Sequence, residues 1–420
     1  MHGLKIRLLV FPYLLAFLLA GCGGSNDGDA MAPPVTQPPT QPPTQPPAAG
    51  TPTLTRTTIA SASNPWDLAF APDGTMFYTE RCAGLSVRMA DGTVRRLFGN
   101  GSAAVAANDL FCEGQSGVHG VAVDPDFANN RFVYVYMLSN LSTPDTNRVV
   151  RLTVDSGYTT VSGRTDIITD ISYKDVGNSH GGAGNHSGGR IRFGSDGLLY
   201  VTTGDNHNGP LPQDLTRLGG KVLRVNRDGT AASGNSTPSG GDARIFTYGH
   251  RNVQGIAFRP GSGQPFICEH GPGHTDEVTP IVAGGNGGWS PAPQAGVTCA
   301  SNYCGYGSNR PDGALTRMTD LEVFPNAMRP SWTNGGSSQG MSPCTFISGS
   351  QWQSWEGRLL VGIMGGTRVE LLQLDSIGMT TGNQSVSSLG GARVRSLVLG
   401  PDNALYTTTD AGEIWRVVAN

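Results

Sequence analysis

The sequence has little charge and few stretches with the spacing of an amphipathic helix. Charged residues make up 15% of the 420 residues and the formal net charge is −3, so there is no electrostatic case for binding nucleic acid. Ala, Leu, Glu and Lys seldom recur with helical periodicity, which argues against a mainly helical protein. The chain has instead 60 glycines, with turn residues between short β-branched runs, a pattern that predicts an all-β fold.

The N-terminus lacks an apolar run long enough to span a bilayer. Residues 8–19 are apolar and follow two basic residues, but a membrane helix needs roughly 20 residues. The run ends in Leu-Ala-Gly-Cys, which resembles the lipobox of bacterial lipoproteins. Residues 1–21 are therefore predicted to be a lipoprotein signal peptide and Cys22 the lipidated residue. The alternative is an ordinary cleaved signal peptide with a chance cysteine.

A linker rich in proline, threonine and glutamine is predicted over residues 22–53. It contains Thr-Gln-Pro-Pro three times, a composition that cannot bury apolar area and favours an extended chain. A docking site for a proline-recognising partner is the less favoured interpretation. The protein is thus expected to be exported, to face the periplasm, and to be held on the outer membrane only through lipid.

The chain has no Cys-X-X-Cys pair, which makes a cysteine-based metal site the weaker interpretation of its cysteines. With Cys22 set aside, an even number remains, and in an oxidising compartment this favours disulfides. The six are Cys82, Cys112, Cys268, Cys299, Cys304 and Cys344. Their connectivity cannot be read from the sequence. Cys299 and Cys304 would close a small loop and are the best candidate pair.

One sequence pattern recurs through residues 54–420: a strand, a turn of Pro, Asp, Gly or Asn, and a second strand. Such turns favour hairpins, and alternating apolar residues give each hairpin a buried face. The copies are at 65–78, 117–136, 189–201, 255–267 and 394–406, with a degenerate copy near 358–362. Repeats of this size predict a six-bladed β-propeller of four-stranded antiparallel blades, with a pair of β-sandwiches as the alternative.

Three short polar segments border the strand-like runs. They are His-Ser-Gly-Gly-Arg at 186–190, Gly-His-Arg-Asn at 249–252 and Glu-His-Gly-Pro at 269–272. In these segments and their order the chain resembles the glucose/sorbosone dehydrogenase family, the soluble quinoprotein sugar dehydrogenases, and within it the aldose sugar dehydrogenase branch. The similarity runs over residues 64–417. It implies a six-bladed propeller that binds pyrroloquinoline quinone (PQQ) and calcium and oxidises aldoses to lactones.

The resemblance also implies roles for individual residues around the quinone. His186 matches the general base that takes the anomeric hydroxyl proton, and an imidazole suits that task. Arg251 and Asn252 match a catalytic cation and a neighbouring amide that stabilise charge on a quinone oxygen. Arg393 and Arg395 match a pair that binds the cofactor's carboxylates, for which guanidinium groups are well shaped. A structural histidine and surface arginines are the alternatives.

Further matches concern the substrate and the metal. Gln115 matches a position that faces the sugar or the base. Gly271 and Pro272 match the calcium turn, where backbone carbonyls are the ligands that this cation accepts. Glu269 and Asp276 could help to bind this ion or a second one, or could be solvated loop acids.

Some residues depart from the glucose dehydrogenase branch. Asn185 stands where that branch has an acid, and Gly365 stands where it has a cofactor-contacting lysine. The aldose dehydrogenase branch also lacks this lysine, and Arg368 or Lys221 could substitute for it. Residues 290–345 have no counterpart in the pattern and are expected to form loops that shape substrate choice.

The first hypothesis is therefore a PQQ- and calcium-dependent aldose dehydrogenase with His186 as the base. Its electrons would pass to a membrane quinone or a cytochrome. A calcium-dependent propeller lactonase is a second hypothesis, and it would need a calcium held by carboxylates. A non-catalytic sugar-binding propeller is a third, kept open by the missing lysine.

Overall fold

The computed structural model describes residues 50–174 and 180–420, and the signal peptide, Cys22 and most of the linker lie outside the described residues. The described chain forms six small sheets, each from consecutive hairpins. No helix among these residues is long and apolar enough to cross a membrane. The α-helical part is a single turn, Phe127–Asn130, within the residues described, and the short 3₁₀ segments are Leu211–Gln213, Ala300–Asn302, Ser350–Trp355 and Ser387–Leu389.

The first three blades follow the chain from residue 65. Blade 1 comprises β2 Pro65–Phe70, β3 Met76–Glu80, β4 Gly84–Arg88, β5 Val94–Gly99 and β6 Val105–Ala106. Blade 2 comprises β7 Val118–Val123, β8 Phe132–Ser139, β9 Thr146–Val154 and β10 Val161–Ile171. Blade 3 comprises β11 Ile191–Phe193, β12 Leu199–Thr202, β13 Lys221–Val225, β14 Ile245–Tyr248 and β18 Gly285–Asn286.

The other three blades complete the ring. Blade 4 comprises β15 Val253–Phe258, β16 Pro265–Glu269, β17 Glu277–Pro280 and β19 Trp332–Thr333. Blade 5 comprises β20 Met341–Phe346, β21 Leu359–Ile363, β22 Arg368–Leu374 and β23 Thr380–Ser385. Blade 6 comprises β24 Val398–Leu399, β25 Leu405–Thr408, β26 Glu413–Ala419 and β1 Leu54–Ser61. The pairing of β1 with β26 is antiparallel and closes the ring.

The predicted six-bladed propeller is confirmed, with one correction. The expectation of four strands in every blade is wrong for blades 1 and 3, where a two-residue strand joins the outer edge in parallel orientation. Such short pairings leave no alternation in the sequence from which to predict them. The degenerate copy expected near 358–362 coincides with β21.

The alternation of side chains along each strand explains why the blades pack in a ring. In β8, Val133, Val135 and Met137 pack in a cluster shared with blade 1. The intervening Tyr134 and Tyr136 point the other way and pack against blade 3. Successive side chains of a strand face opposite sides of its sheet, so each blade buries both faces against two neighbours. A cluster of this kind lies at each of the six interfaces.

The cysteines are only partly paired. Cys299–Cys304 is a disulfide, as predicted, and Cys82–Cys112 is a second one. Cys268 and Cys344 are buried free thiols, so the even count does not extend to a third disulfide. They lie in β16 and β20, within the apolar contact between blades 4 and 5. Here the two residues act as small apolar side chains.

Candidate active site

A cavity of about 510 Å³ receives residues from all six blades and therefore lies at the centre of the ring. This volume is in the range of small-molecule binding sites. The predicted site residues that line it are Gln115, His186, Arg251, Asn252, Pro272, Arg393 and Arg395. Residues that no motif singled out also line it, among them Trp66, Arg81, His119, Tyr306 and Met364.

Two glycines shape the turn that carries His186 into the cavity. Gly188 and Gly189 have φ values of 62° and 98°, where residues with a side chain are strained. A Cβ on Gly188 would lie 2.6 Å from the backbone of Thr203, and one on Gly189 would lie 2.6 Å from the ring of His119. The Gly-Gly pair thus allows a close approach to two neighbouring segments that larger residues would prevent.

A buried carboxylate orients the His186 ring. His186 Nδ1 lies 2.6 Å from Asp205 Oδ1, which also accepts the backbone N–H of His207 at 3.0 Å. Asp205 Oδ2 accepts from Trp289 Nε1 at 2.8 Å and from the Tyr303 hydroxyl at 3.2 Å. Three donors besides His186 reach the two oxygens of Asp205, which is therefore an ionised acceptor, so Nδ1 of His186 carries the hydrogen. The lone pair is then on Nε2.

The surroundings keep His186 uncharged. Burial lowers the pKa of His186 well below its usual 6.5, and the positive charge of Arg251 lowers it further. Burial also raises the pKa of Asp205 above its ordinary value. His186 Nε2 has no hydrogen-bond partner within the described residues. A neutral imidazole with a free lone pair facing a cavity can act as a general base.

Arg251 and Asn252 are fixed beside this base. Arg251 is 1% exposed, and its Nη1 donates to the backbone carbonyl of His270 at 2.7 Å. Its Nη2 donates to the Tyr306 hydroxyl at 3.0 Å. Asn252 Oδ1 accepts the Gly188 N–H at 3.1 Å, which leaves the amide NH₂ as a donor. These contacts preorganise a cation and an amide next to the cavity.

A cluster of guanidinium groups forms another wall of the cavity. Arg393 and Arg395 both pair with Asp410, with a 2.7 Å contact from Arg393 Nε. Burial opposes ionisation of Asp410, but hydrogen bonds and charge from Arg395 and Arg393 lower its pKa. Arg81 lines the same cavity and donates to the Ser116 carbonyl at 3.2 Å. The lining therefore carries an excess of positive charge that suits an anionic ligand with several carboxylates.

The carboxylates proposed for the metal turn are already hydrogen-bonded. Asp276 accepts from the N–H groups of Gly271 and Gln339, both at 2.8 Å, and from Ser338 and Asn334. Glu269 accepts from His250 Nδ1 at 3.1 Å and from the backbone N–H of Arg251. In residues 50–174 and 180–420, no group of three or more His, Cys, Asp or Glu side chains could hold a metal ion.

The backbone at 271–272 stays the candidate for metal binding. Pro272 lines the cavity, and no hydrogen bond to the carbonyls of Gly271 and Pro272 is found among the described residues. Free backbone carbonyls are suitable calcium ligands. The proposed roles of Glu269 and Asp276 as ligands stay predictions, and their present partners make them less suited than these carbonyls.

Neither residue suggested as a substitute for the missing lysine lines the cavity. Lys221 donates to three backbone carbonyls beneath blade 3, and burial lowers its pKa to about 7. Arg368 pairs with Glu370 at 2.7 Å. A side chain at Gly365 would meet the backbone of Gln339 at 2.5 Å. The additional cation at the cavity is instead Arg81.

Sequence reasoning missed Asp205, Tyr303, Tyr306 and Arg81. Asp205 lies three residues after the end of β12, whose strand neighbour begins after the His186 turn, so its position close to a strand end was a usable signal. The tyrosines belong to the segment 290–345, which the sequence predicted only as loops that shape substrate choice. Tyr306 lines the cavity, so this segment does contribute to its wall.

The geometry defines a class: a six-bladed propeller with a buried base and a cationic central cavity. The family model "Glucose / Sorbosone dehydrogenase" matches residues 62–416. The chain belongs to the glucose/sorbosone dehydrogenase family.

Individual relatives agree with this assignment. Aldose sugar dehydrogenase YliI of Escherichia coli K12 is 29% identical over 361 residues, which are 84% of this chain and 90% of that protein. Quinoprotein glucose dehydrogenase B of Acinetobacter calcoaceticus is 31% identical over 262 residues, covering 56% of this chain and 52% of the other.

Solved structures are similar over nearly the whole propeller. The apo form of the soluble aldose sugar dehydrogenase of Escherichia coli is 25% identical with a TM-score of 0.70, covering 88% of this chain and 100% of the other. The PQQ-bound aldose sugar dehydrogenase of Streptomyces coelicolor is 25% identical with a TM-score of 0.65, covering 88% and 99%. These similarities support the resemblance on which the site residues were first selected.

Proposed function

We propose that the protein is a PQQ- and calcium-dependent dehydrogenase that oxidises aldoses at the anomeric carbon to lactones. The observation that carries the proposal is the buried His186–Asp205 pair: the histidine lines a cavity with a cationic wall, and its Nε2 has no hydrogen-bond partner among the described residues. A base alone would fit many reactions. The guanidinium groups around it favour a polyanionic ligand, and PQQ is a tricarboxylate.

The residues present fit this cofactor. Arg81, Arg393 and Arg395 would bind its carboxylates, and Arg251 with Asn252 would face a quinone oxygen. Bound PQQ would supply the acceptor for the hydride that leaves C1 of the sugar.

The protein's own groups would then handle the proton. His186 Nε2 would take the proton of the C1 hydroxyl as the C1–H bond breaks and the C1–O bond becomes a carbonyl. Asp205 would stabilise the imidazolium through Nδ1. Arg251 would stabilise the negative charge that develops across the cavity, because it is held in place before the reaction begins. Gln115 would contact the sugar.

Calcium, export and electron transfer complete the proposal. The carbonyls of Gly271 and Pro272 would bind calcium together with the cofactor. The protein would be exported, lipidated at Cys22 and anchored in a membrane facing the periplasm, and would pass electrons to a membrane quinone or a cytochrome. A lactonase with a carboxylate-bound calcium is less favoured, since Glu269 and Asp276 are engaged by protein donors.

Reconstitution tests the proposal. The purified protein is titrated with PQQ and CaCl₂, and binding is followed by quenching of tryptophan fluorescence, because Trp66 lines the cavity. Several aldoses are then added, and reduction of an artificial dye is measured. Sugar-dependent reduction that needs both additions is expected. Tight PQQ binding without oxidation of any sugar would contradict the enzyme proposal and favour a sugar-binding protein, and lactone hydrolysis with calcium alone would favour the lactonase.

A further inference from the structure

A short disulfide-closed loop supplies two hydroxyl groups to the candidate active site. The cystine loop, residues 299–306, consists of the ring closed by Cys299–Cys304, with a Cα–Cα distance of 5.4 Å, and the two residues that follow it. Ser301 and Asn302 lie within it at φ values of 53° and 57°, an unfavourable conformation for two successive residues with side chains. The loop is attached to the propeller by a 2.7 Å hydrogen bond from Cys304 N to Pro291 O.

Tyr303 connects the loop to the base. It is 1% exposed, and its hydroxyl donates to Asp205 Oδ2, the oxygen that does not contact His186. Its ring packs in an apolar cluster with Trp289, the other donor to that oxygen. A Cβ at Gly305 would lie 2.4 Å from the Tyr303 ring, so the chain folds tightly back over it.

Tyr306 connects the loop to the cation. Its hydroxyl accepts from Arg251 Nη2 at 3.0 Å and lies 2.9 Å from Nε2 of His207. The His207 ring in turn packs on the His186 ring, with 3.8 Å between centroids. Tyr306 is 53% exposed and lines the cavity, so it stands between solvent and the cation.

The disulfide closes few residues and therefore restricts the unfolded chain less than the longer Cys82–Cys112 loop does. Its cysteines are five residues apart, whereas those of Cys82–Cys112 are 30 apart. A disulfide limits the unfolded chain more when it closes a longer loop. The contacts of this one point to a local role, because the residues it holds reach both partners of the proposed chemistry.

We infer that the cystine loop is a positioning element for catalysis: Tyr303 orients the Asp205–His186 pair, and Tyr306 fixes the Arg251 guanidinium. The disulfide holds the two tyrosines in register with these partners. The inference rests on the proposed function for its kinetic consequences, but its effect on the His186 ring does not require activity.

Two hydroxyl deletions test it in the full chain. Tyr303→Phe and Tyr306→Phe should each lower kcat about tenfold, while PQQ affinity for Tyr303→Phe stays within twofold. Without the Tyr303 donor the charge on Asp205 is less dispersed, so the acidic limb of the pH profile of kcat/KM should move to higher pH. Tyr406→Phe is the matched control, since its hydroxyl donates to Asp402 at 3.0 Å, away from the cavity. It should leave kcat and the profile unchanged.

The double variant Cys299→Ser/Cys304→Ser tests the disulfide itself. Its kcat should fall at least as far as that of Tyr303→Phe, with a propeller that still folds by circular dichroism and still binds PQQ. A double variant with wild-type kcat would overturn the role of the disulfide, leaving the tyrosines to be judged by their own variants.

A readout independent of turnover separates this inference from the proposed function. The ¹⁵N resonances of the His186 ring, assigned with His186→Gln, should shift in the Tyr303→Phe protein and not in Tyr406→Phe. A wild-type protein that binds PQQ but oxidises no sugar would remove the proposed function alone if this shift is seen. Unchanged ring resonances, or an active wild type with both tyrosine variants at wild-type rates, would overturn the positioning role.

Discussion

Two buried histidine–carboxylate pairs are found among residues 50–174 and 180–420, and they differ in what the Nε2 atom of each histidine contacts. His186 Nδ1 contacts Asp205 at 2.6 Å, and His250 Nδ1 contacts Glu269 at 3.1 Å. In the second pair Nε2 is also occupied, 2.8 Å from the Thr247 hydroxyl. In the first pair Nε2 is without a partner among the described residues, and the ring lines the cavity. A carboxylate partner alone therefore does not identify a histidine as a general base. What distinguishes His186 from His250 is that its Nε2 has no hydrogen-bond partner among the described residues.

The largest expected effect is the difference in kcat between variants of the two histidines. His186→Gln should lower kcat by about 10³-fold, because general base catalysis contributes 10² to 10⁴. Dye reduction at saturating sugar measures it. His250→Gln should keep kcat within about tenfold and lower stability instead, since it removes one of the two buried groups that contact Glu269 and leaves only the Arg251 N–H. Equal losses of kcat in both variants would show that the distinction at Nε2 is wrong.

Substitutions of the two carboxylates should also differ in their effects on kcat and stability, but by less than those of the histidines. Asp205→Asn should lower kcat about 10²-fold, because an amide cannot stabilise the imidazolium by charge. Glu269→Gln should change the free energy of unfolding by about 1–3 kcal/mol and kcat by less than tenfold. Steady-state kinetics and urea titration of both variants measure the two quantities. A kcat for Asp205→Asn that matches the wild type would contradict the orienting role of this carboxylate.

The lowered pKa of His186 should appear in the pH dependence of stability. Below pH 6.5 the unfolded chain takes up a proton that the buried, neutral ring refuses, so the free energy of unfolding falls as pH falls. His186→Gln removes this term. Between pH 6.5 and 5.5 the wild type should lose up to about 1 kcal/mol more than the variant. Parallel stability curves in urea titrations would show that the ring titrates normally.

The smallest expected effect concerns His250 Nε2, which contacts the Thr247 hydroxyl. Thr247→Val removes the hydroxyl from His250 Nε2 and should cost about 1 kcal/mol of stability with no change in kcat. Thermal unfolding and dye reduction together check this. A gain or loss of activity beyond twofold would mean that His250 acts on the reaction through Arg251.

Much of the fold was predictable because each blade repeats the same local pattern. The hairpins at 65–78 and 394–406 coincide with β2–β3 and β24–β25, where alternation and turn residues agree. The edge strands β6 and β18 were not predictable, since two residues carry no period and their partners are set by loop packing.

The site was predictable where the backbone dictates the sequence. The glycines after His186 are required by close approaches to Thr203 and His119, so a Gly-Gly pair in the sequence is a usable signal of this turn. The positions of Asp205, Tyr303 and Tyr306 depend on contacts between distant parts of the chain. Tyr303, for example, is 98 residues from Asp205, to which its hydroxyl donates. A sequence without its fold does not say which hydroxyl meets which carboxylate.

The closure of blade 6 is the step that completes the ring. β1 is the first strand along the described chain, but its hydrogen-bonding partner is β26, the last strand, with Leu54 opposite Ala419. Until residues 413–419 are in place, β1 has no sheet to join and the wall that carries Arg393 and Arg395 has no outer strands. The ring around the cavity is therefore closed only when β1 and β26 pair.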